Sequence, residues 1–121
     1  MYILKGLYVI TDQKLIPRDR FIETVEKAIQ GGAKIIQLRE KDALEEEIIR
    51  IGKGLLEITR TYGIPLIIND SPEIAEEIGA DGVHLGKDDP EISRARKLFP
   101  DPLIPIIATL FIIAIYIYLK N

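Results

Sequence analysis

No cysteine occurs in the 121 residues, so disulfides, thiolate metal sites and thiol nucleophiles are all excluded. Tryptophan is also absent, and histidine occurs once, at His84. A lone imidazole with no paired nucleophile points to packing and hydrogen bonding ahead of catalysis. Positive charge is not in excess either. A net charge of −3 and a pI near 5.2 leave no footprint for a polyanion, and nucleic acid is not an expected partner. The first residues, Met1-Tyr2-Ile3-Leu4-Lys5-Gly6, lack a basic stretch followed by a long apolar core. No secretory signal is therefore expected, and the cytoplasm is the default location. No linker or low-complexity stretch appears before Asp101.

What is present is a globular composition, 47% hydrophobic and 29% charged. Leu7-Tyr8-Val9-Ile10-Thr11 reads as a buried strand ending at Asp12. Phe21, Ile22, Val25, Ala28 and Ile29 recur at helical spacing, and Gly31-Gly32 closes that helix. Ile35-Ile36-Gln37-Leu38 is a second strand, delivering Arg39-Glu40-Lys41 into a loop. Asp42 with Glu45 predicts an N-cap and its capping-box partner. Leu44, Ile48, Ile51, Leu55 and Ile58 then share one face of a long helix that Gly63 ends. Pro65 to Ile68 is a third strand leading to Asn69-Asp70, and Pro72 opens a short helix carrying Ile74, Ala75 and Ile78. Gly82 to Gly86 is a fourth strand, and Asp88-Asp89-Pro90 opens a helix carrying Ile92, Ala95 and Leu98.

Strand and helix alternate four times, which predicts an α/β fold with a parallel sheet and right-handed crossovers. The strands are continuous apolar runs, as expected when both faces are covered. Ligands of such folds gather at the C-terminal ends of the strands. Thr11-Asp12, Gln37 to Lys41, Asn69-Asp70 and Lys87-Asp88-Asp89 all fall there. Two cations and several carboxylates on one rim suit a polyanion held partly by Arg and Lys and partly through a hard divalent cation, with Mg²⁺ favoured. Arg39 can grip a phosphate bidentately, Lys41 can act as a mobile point charge, and Asn69 can read a heterocycle. Taken singly, each group has a plainer explanation. Arg39-Glu40-Lys41 can be a solvated loop, Asn69 to Pro72 a turn and helix cap, and Asp88-Asp89 a cap favoured by the helix dipole. Convergence is what favours a site.

The ordered set Leu7 to Asp12, Gly31-Gly32-Ala33 before Gln37-Leu38-Arg39-Glu40-Lys41-Asp42, Ile68-Asn69-Asp70 and Gly79 to Gly86 resembles the thiamine phosphate synthase family over about residues 6–100. The resemblance implies a (β/α)₈ TIM barrel, with residues 1–101 as its N-terminal half. It implies a transferase that joins hydroxymethylpyrimidine diphosphate to a thiazole phosphate, releasing pyrophosphate. Gln37, Leu38, Arg39, Glu40 and Lys41 would be the substrate-binding segment, with Gln37, Arg39 and Lys41 on the diphosphate substrate. Asn69 would contact the pyrimidine, and Asp70 and Asp89 would hold Mg²⁺. Ser71 stands where the family commonly has a basic residue, and Lys87 where it commonly has glutamine.

The large departure is the C-terminal segment, 102–121. From Leu103 to Leu119 no charged residue occurs, a length at the lower limit of about 17 residues for a membrane span. The family continues instead into a fifth strand and three more, which carry the thiazole-phosphate site. The expectation is that Leu103 to Thr109 takes the place of the fifth strand. The segment would then fold back over the sheet, or two chains would pair as a homodimer that closes the barrel. Membrane association is disfavoured, because Pro105 interrupts the run and nothing upstream suggests it. The alternatives to an active synthase are a catalytically incompetent half-barrel that binds only the pyrimidine diphosphate and Mg²⁺, a thiazole tautomerase-like relative and a membrane-associated remnant. The intact segment Asp81 to Gly86, together with Asp89, argues against the tautomerase.

Overall fold

The computed structural model describes residues 6–86, 89–99 and 106–108, with the backbone alone for 89–91 and 106–108. Its elements run β1 (Leu7–Ile10), α1 (Phe21–Gln30), β2 (Ala33–Leu38), α2 (Glu45–Tyr62), β3 (Leu66–Asn69), α3 (Pro72–Ile78), β4 (Gly82–Leu85), α4 (Asp89–Leu98) and β5 (Ile106–Ala108). A 3-10 turn at Arg18–Arg20 leads into α1. All five strands are parallel and stand in chain order, β1-β2-β3-β4-β5. Crossovers of constant hand that always advance in one direction put every helix on the same face of the sheet. A doubly wound sheet would instead reverse its order and carry helices on both faces.

Strand alternation then sorts the side chains. Ile36, Leu38, Leu66, Ile68, Val83 and Leu85 face the helices and join Phe21, Val25, Ile51, Leu55, Ala75 and Ala95 in one core. The intervening residues, paired as Gln37 with Ile67 and Asn69 with His84, occupy the opposite face. Ile35 and Ile67 are buried there, so both faces are covered at these strands. Two glycines fit the helices to this frame. Gly63 ends α2 in the left-handed region at φ 68°, its N–H bonded back to Arg60 and Thr59 carbonyls. Gly52 lets α3 approach α2, since a Cβ there would lie 2.3 Å from Ile78 Cδ1.

Three expectations are corrected. β1 is not a buried strand: Leu7 is exposed and Tyr8, Val9 and Ile10 are half-buried, because β1 lies at the sheet's edge and pairs only with β2 among the described residues. Asp42 does not cap α2. The N-cap is Leu44, which makes no side-chain cap bond, and Asp42 instead accepts from Gln13 Nε2 at 2.5 Å. Leu44 consequently lies ahead of the first turn and is 77% exposed instead of joining the helix's apolar face. Ile106–Ala108 does form a fifth strand, parallel to β4. The rest of the 102–121 segment, including the expected boundary near 101, lies outside the described residues. Among the described residues, no helix is long and apolar enough to cross a membrane.

Candidate functional site

The polar side chains on the second face of the sheet form one connected chain at the C-terminal ends of β2, β3 and β4. Gln37, 1% exposed, is its hub. Its Nε2 donates to Tyr8 Oη at 2.7 Å and lies 3.2 Å from His84 Nδ1. Its Oε1 accepts from Asn69 Nδ2 at 2.9 Å. Asn69 Oδ1 in turn accepts from Lys41 Nζ at 3.0 Å, and Lys41 also pairs with Asp70 Oδ2. The network fixes orientations that the sequence leaves free. Asn69 must present its carbonyl to the rim, because its amide group is committed to Gln37.

The backbone positions these groups for local reasons. Asp70 adopts φ 72°, a left-handed conformation that Asp tolerates better than most residues, and its N–H donates to His84 O at 2.8 Å. That bend turns the chain out of β3 and leaves the Asp70 carboxylate 54% exposed at the rim. Ser71 then caps α3, its Oγ accepting from Ile74 N at 3.2 Å, with Pro72 at the helix start. The segment Asn69 to Pro72 is thus both a cap and a site edge. Ser71 and Pro72 make the cap, and Asn69 and Asp70 stand on the rim, bonded to Lys41.

The two loops on the rim are laced together. Arg39 N donates to Thr11 Oγ1 at 3.1 Å, Gln13 bonds Asp42, and Arg18 forks onto Glu40 with bonds of 3.0 and 3.1 Å. Glu40 is therefore committed to the protein, its side chain fully buried under Arg18. Leu38 is a core residue, 1% exposed. Gln37, Lys41, Asn69 and Asp70 are the sequence-expected residues that the fold gathers into one contact chain. Arg39 stands beside them on the loop. Asp89 is the first residue of α4, directly after the rim loop of β4, but its carboxylate lies outside the described residues, as do Lys87 and Asp88.

The residues that the chemistry-first reading passed over are Tyr8 and Arg18, while His84, weighed there for packing, turns out to border the site. Strand parity could have found Tyr8 and His84, since both fall on the face that Gln37 and Asn69 occupy. Burial raises the Tyr8 pKa, and the bond from Gln37 offsets part of that rise. Burial lowers the His84 pKa; Asp70 pulls the other way, while Lys41 and Arg39 reinforce the fall. With Gln37 Nε2 facing Nδ1, a neutral ring carrying its proton on Nε2 satisfies the contact, whereas a protonated ring would oppose two donors.

A pH prediction follows. His84 is the only histidine, so its ring proton titrates alone in an NMR spectrum. The midpoint is expected below the ordinary value of about 6.5. Asp70→Asn is expected to move it lower still, by removing a charge that favours the imidazolium. Because the folded state holds the proton less tightly than the unfolded chain, His84 contributes stability above about pH 6.5 that is lost as pH falls through the depressed value. A midpoint above 6.5 would remove this description of the ring.

Chemically, the rim offers hard oxygens already arranged around a cation. The Lys41 ammonium donates to Asn69 Oδ1 and to the Asp70 carboxylate together, so it stands where a divalent ion could be held. Among the described residues, no three His, Asp or Glu side chains gather into a complete metal cage. Asp70 and Asn69 are the oxygen donors described there, a pair that would suit an ion completing its shell with water and ligand oxygens.

The sequence pattern of the thiamine monophosphate synthase family matches residues 7–106. The chain is 48% identical over 100 residues to a thiamine-phosphate synthase of Methylococcus capsulatus, covering 83% of this chain and 44% of that protein. It is 42% identical over 102 residues to the thiamine-phosphate synthase of Marinobacter nauticus, covering 84% and 46%. A solved structure, thiamine phosphate pyrophosphorylase from Pyrococcus furiosus, superposes with a TM-score of 0.74 at 40% identity, over 84% of this chain and 48% of that one. The chain thus spans about half the length of the curated relatives it matches. The five parallel strands and their helices correspond to about half of that structure's TIM-barrel-like fold. On the family's own pattern across 7–106, this chain belongs to the thiamine monophosphate synthase family.

Proposed function

We propose that this chain carries the pyrimidine-diphosphate and Mg²⁺ half of a thiamine phosphate synthase site. The observation that carries the reading is the contact chain Gln37–Asn69–Lys41–Asp70 on one rim, with Arg39 beside it. Gln37 and Asn69, with Tyr8 and His84 beside them, form a half-buried polar floor suited to a flat heterocycle. Arg39 and Lys41 take the diphosphate oxygens, and Asp70, with Asp89, supplies carboxylates to Mg²⁺. Leu38 serves this segment from the core, and Glu40 serves it by holding the loop.

Mg²⁺ supplies charge neutralisation of a leaving diphosphate when it is bound. Arg39 and Lys41 stabilise the same charge where it develops. The bond between the pyrimidine's methylene carbon and the diphosphate oxygen breaks, and its electron pair leaves with pyrophosphate. The thiazole nitrogen then donates its lone pair to that carbon. No protein nucleophile takes part, in keeping with a chain that has no cysteine. We place the protein in the cytoplasm on the same reading. A second copy paired about a two-fold axis is our proposal for completing a barrel, since β1 pairs only with β2 among the described residues.

The test is thiamine phosphate formation from both substrates with Mg²⁺, run on the full chain alongside its solution mass. Product that disappears with Asp70→Ala supports the synthase. Mg²⁺-dependent binding of pyrophosphate without product supports the second reading, a half-site that binds and does not turn over. Neither product nor binding would overturn both.

A further inference from the structure

We infer that Arg18 is a positioning residue for the anion-gripping loop, acting through Glu40; this rests on the diphosphate reading of the site. Glu40 stands between Arg39 and Lys41, two cations of the rim. Its side chain is fully buried, so it cannot itself meet ligand while the loop keeps this form. Both of its oxygens are taken by the Arg18 fork, at 3.0 and 3.1 Å. A planar guanidinium gripping a carboxylate through two bonds fixes orientation as well as distance. Arg18 is itself immobilised on two further sides. Its Nε lies 3.2 Å from Glu47 Oε1 in the first turn of α2, and its guanidinium carbon is 5.4 Å from the centroid of the Phe21 ring, at the start of α1.

The consequence is geometric. Arg18 ties the start of α1, the loop after β2 and the start of α2 at one point, through the residue between Arg39 and Lys41. Neighbouring ties at Thr11–Arg39 and Gln13–Asp42 come from the same β1–α1 loop. That loop has no proposed contact with substrate, yet it sets where the cations of the next loop stand. Without the fork, Glu40 would lose its ion pair with Arg18 and turn toward water, carrying Arg39 and Lys41 with it. Lysine cannot replace it, because a single ammonium cannot hold both oxygens in one plane.

The experiment is calorimetric titration of the full chain with pyrophosphate in excess Mg²⁺, comparing wild type, Arg18→Met, Arg18→Lys, Glu40→Gln and the Arg18→Met/Glu40→Gln pair. Amide exchange at residues 39–42 is followed in each. Arg18→Met is expected to weaken pyrophosphate about tenfold, the order of loss seen when the support of a contact residue is removed. Exchange should quicken at 39–42 while the amides of β2 and β3 stay protected. Arg18→Lys should recover only part of the affinity, and the double variant should bind no worse than Arg18→Met, because the two side chains act as a unit. Pyrophosphate affinity within twofold of wild type in Arg18→Met would overturn the inference, as would full recovery in Arg18→Lys. If Arg18→Met does not fold, the Arg18→Lys titration alone decides. Absence of pyrophosphate binding by the wild-type chain is a different result: it overturns the diphosphate reading, and this inference with it.

Discussion

Leu55→Ala is expected to lower the unfolding free energy by about 3 kcal/mol, within the range of roughly 2–5 kcal/mol for truncating a buried leucine. Leu44→Ala, on the same helical repeat, is expected to change it by less than about 0.5 kcal/mol. Leu55 is 0% exposed and sits where α2 meets the sheet. The core it belongs to includes strand residues such as Ile36, Leu38 and Leu66, held by ladder hydrogen bonds on both sides. Such walls cannot relax into the space a missing isobutyl group leaves, so both the transfer cost and the cavity cost apply. Leu44, 77% exposed, leaves no cavity. For a domain of this size the Leu55 loss corresponds to a melting temperature lower by roughly 10–20 °C. Thermal unfolding of the two variants beside wild type reads the difference. Equal shifts would mean that α2 begins earlier and buries both residues.

That contrast marks the limit of what the pattern of apolar residues could supply. Spacing of three and four put Leu44, Ile48, Ile51 and Leu55 on one stripe, and for the last two this placed the core. The stripe carries no information on where the first turn starts, because Leu44 continues the period whether or not its backbone is helical. The start is set by the loop. Asp42 is drawn to Gln13 and leaves the capping to the backbone two residues later. The same holds at β1, where an apolar run indicates a strand but not whether a neighbour covers its outer edge.

The site was legible to the extent that it depends on strand ends. Gln37, Lys41, Asn69 and Asp70 were placed together because a parallel sheet delivers successive strand ends to one rim. What sequence could not show was which of these side chains touch. Glu40 looks like a rim carboxylate by position, and only the path of Arg18 from the previous loop shows that it is turned inward. Tyr8 and His84 were hidden for a simpler reason. Each lies inside an apolar run, and its polar end matters only once Gln37 is seen beside it.

Lys41→Met and Asp70→Asn are expected to move the affinities for Mg²⁺ and pyrophosphate, the two ligands proposed for this site, in opposite directions. Lys41 bridges Asn69 and Asp70, so the cation proposed for the anion also pairs with the carboxylate proposed for the metal. Both partners are about half exposed, and such a pair is worth about 0–1 kcal/mol. Divalent metal and pyrophosphate can therefore separate it cheaply, the metal taking Asp70 and the freed ammonium turning to the anion. Lys41→Met removes one charged hydrogen-bonding contact to the diphosphate, worth about 1.5–3 kcal/mol, or roughly 10- to 150-fold in affinity. The same change empties the Asp70 carboxylate of its competitor, so Mg²⁺ alone should bind up to about fivefold more tightly. Asp70→Asn should do the reverse. Mg²⁺ alone binds more weakly, while pyrophosphate measured without Mg²⁺ is held as well as by wild type or better, because Lys41 no longer has a carboxylate to leave. Separate titrations with Mg²⁺ and with metal-free pyrophosphate read these signs directly. If Lys41→Met weakens both ligands alike, the ammonium is not standing in the place of the metal, and the rim binds its two charges independently.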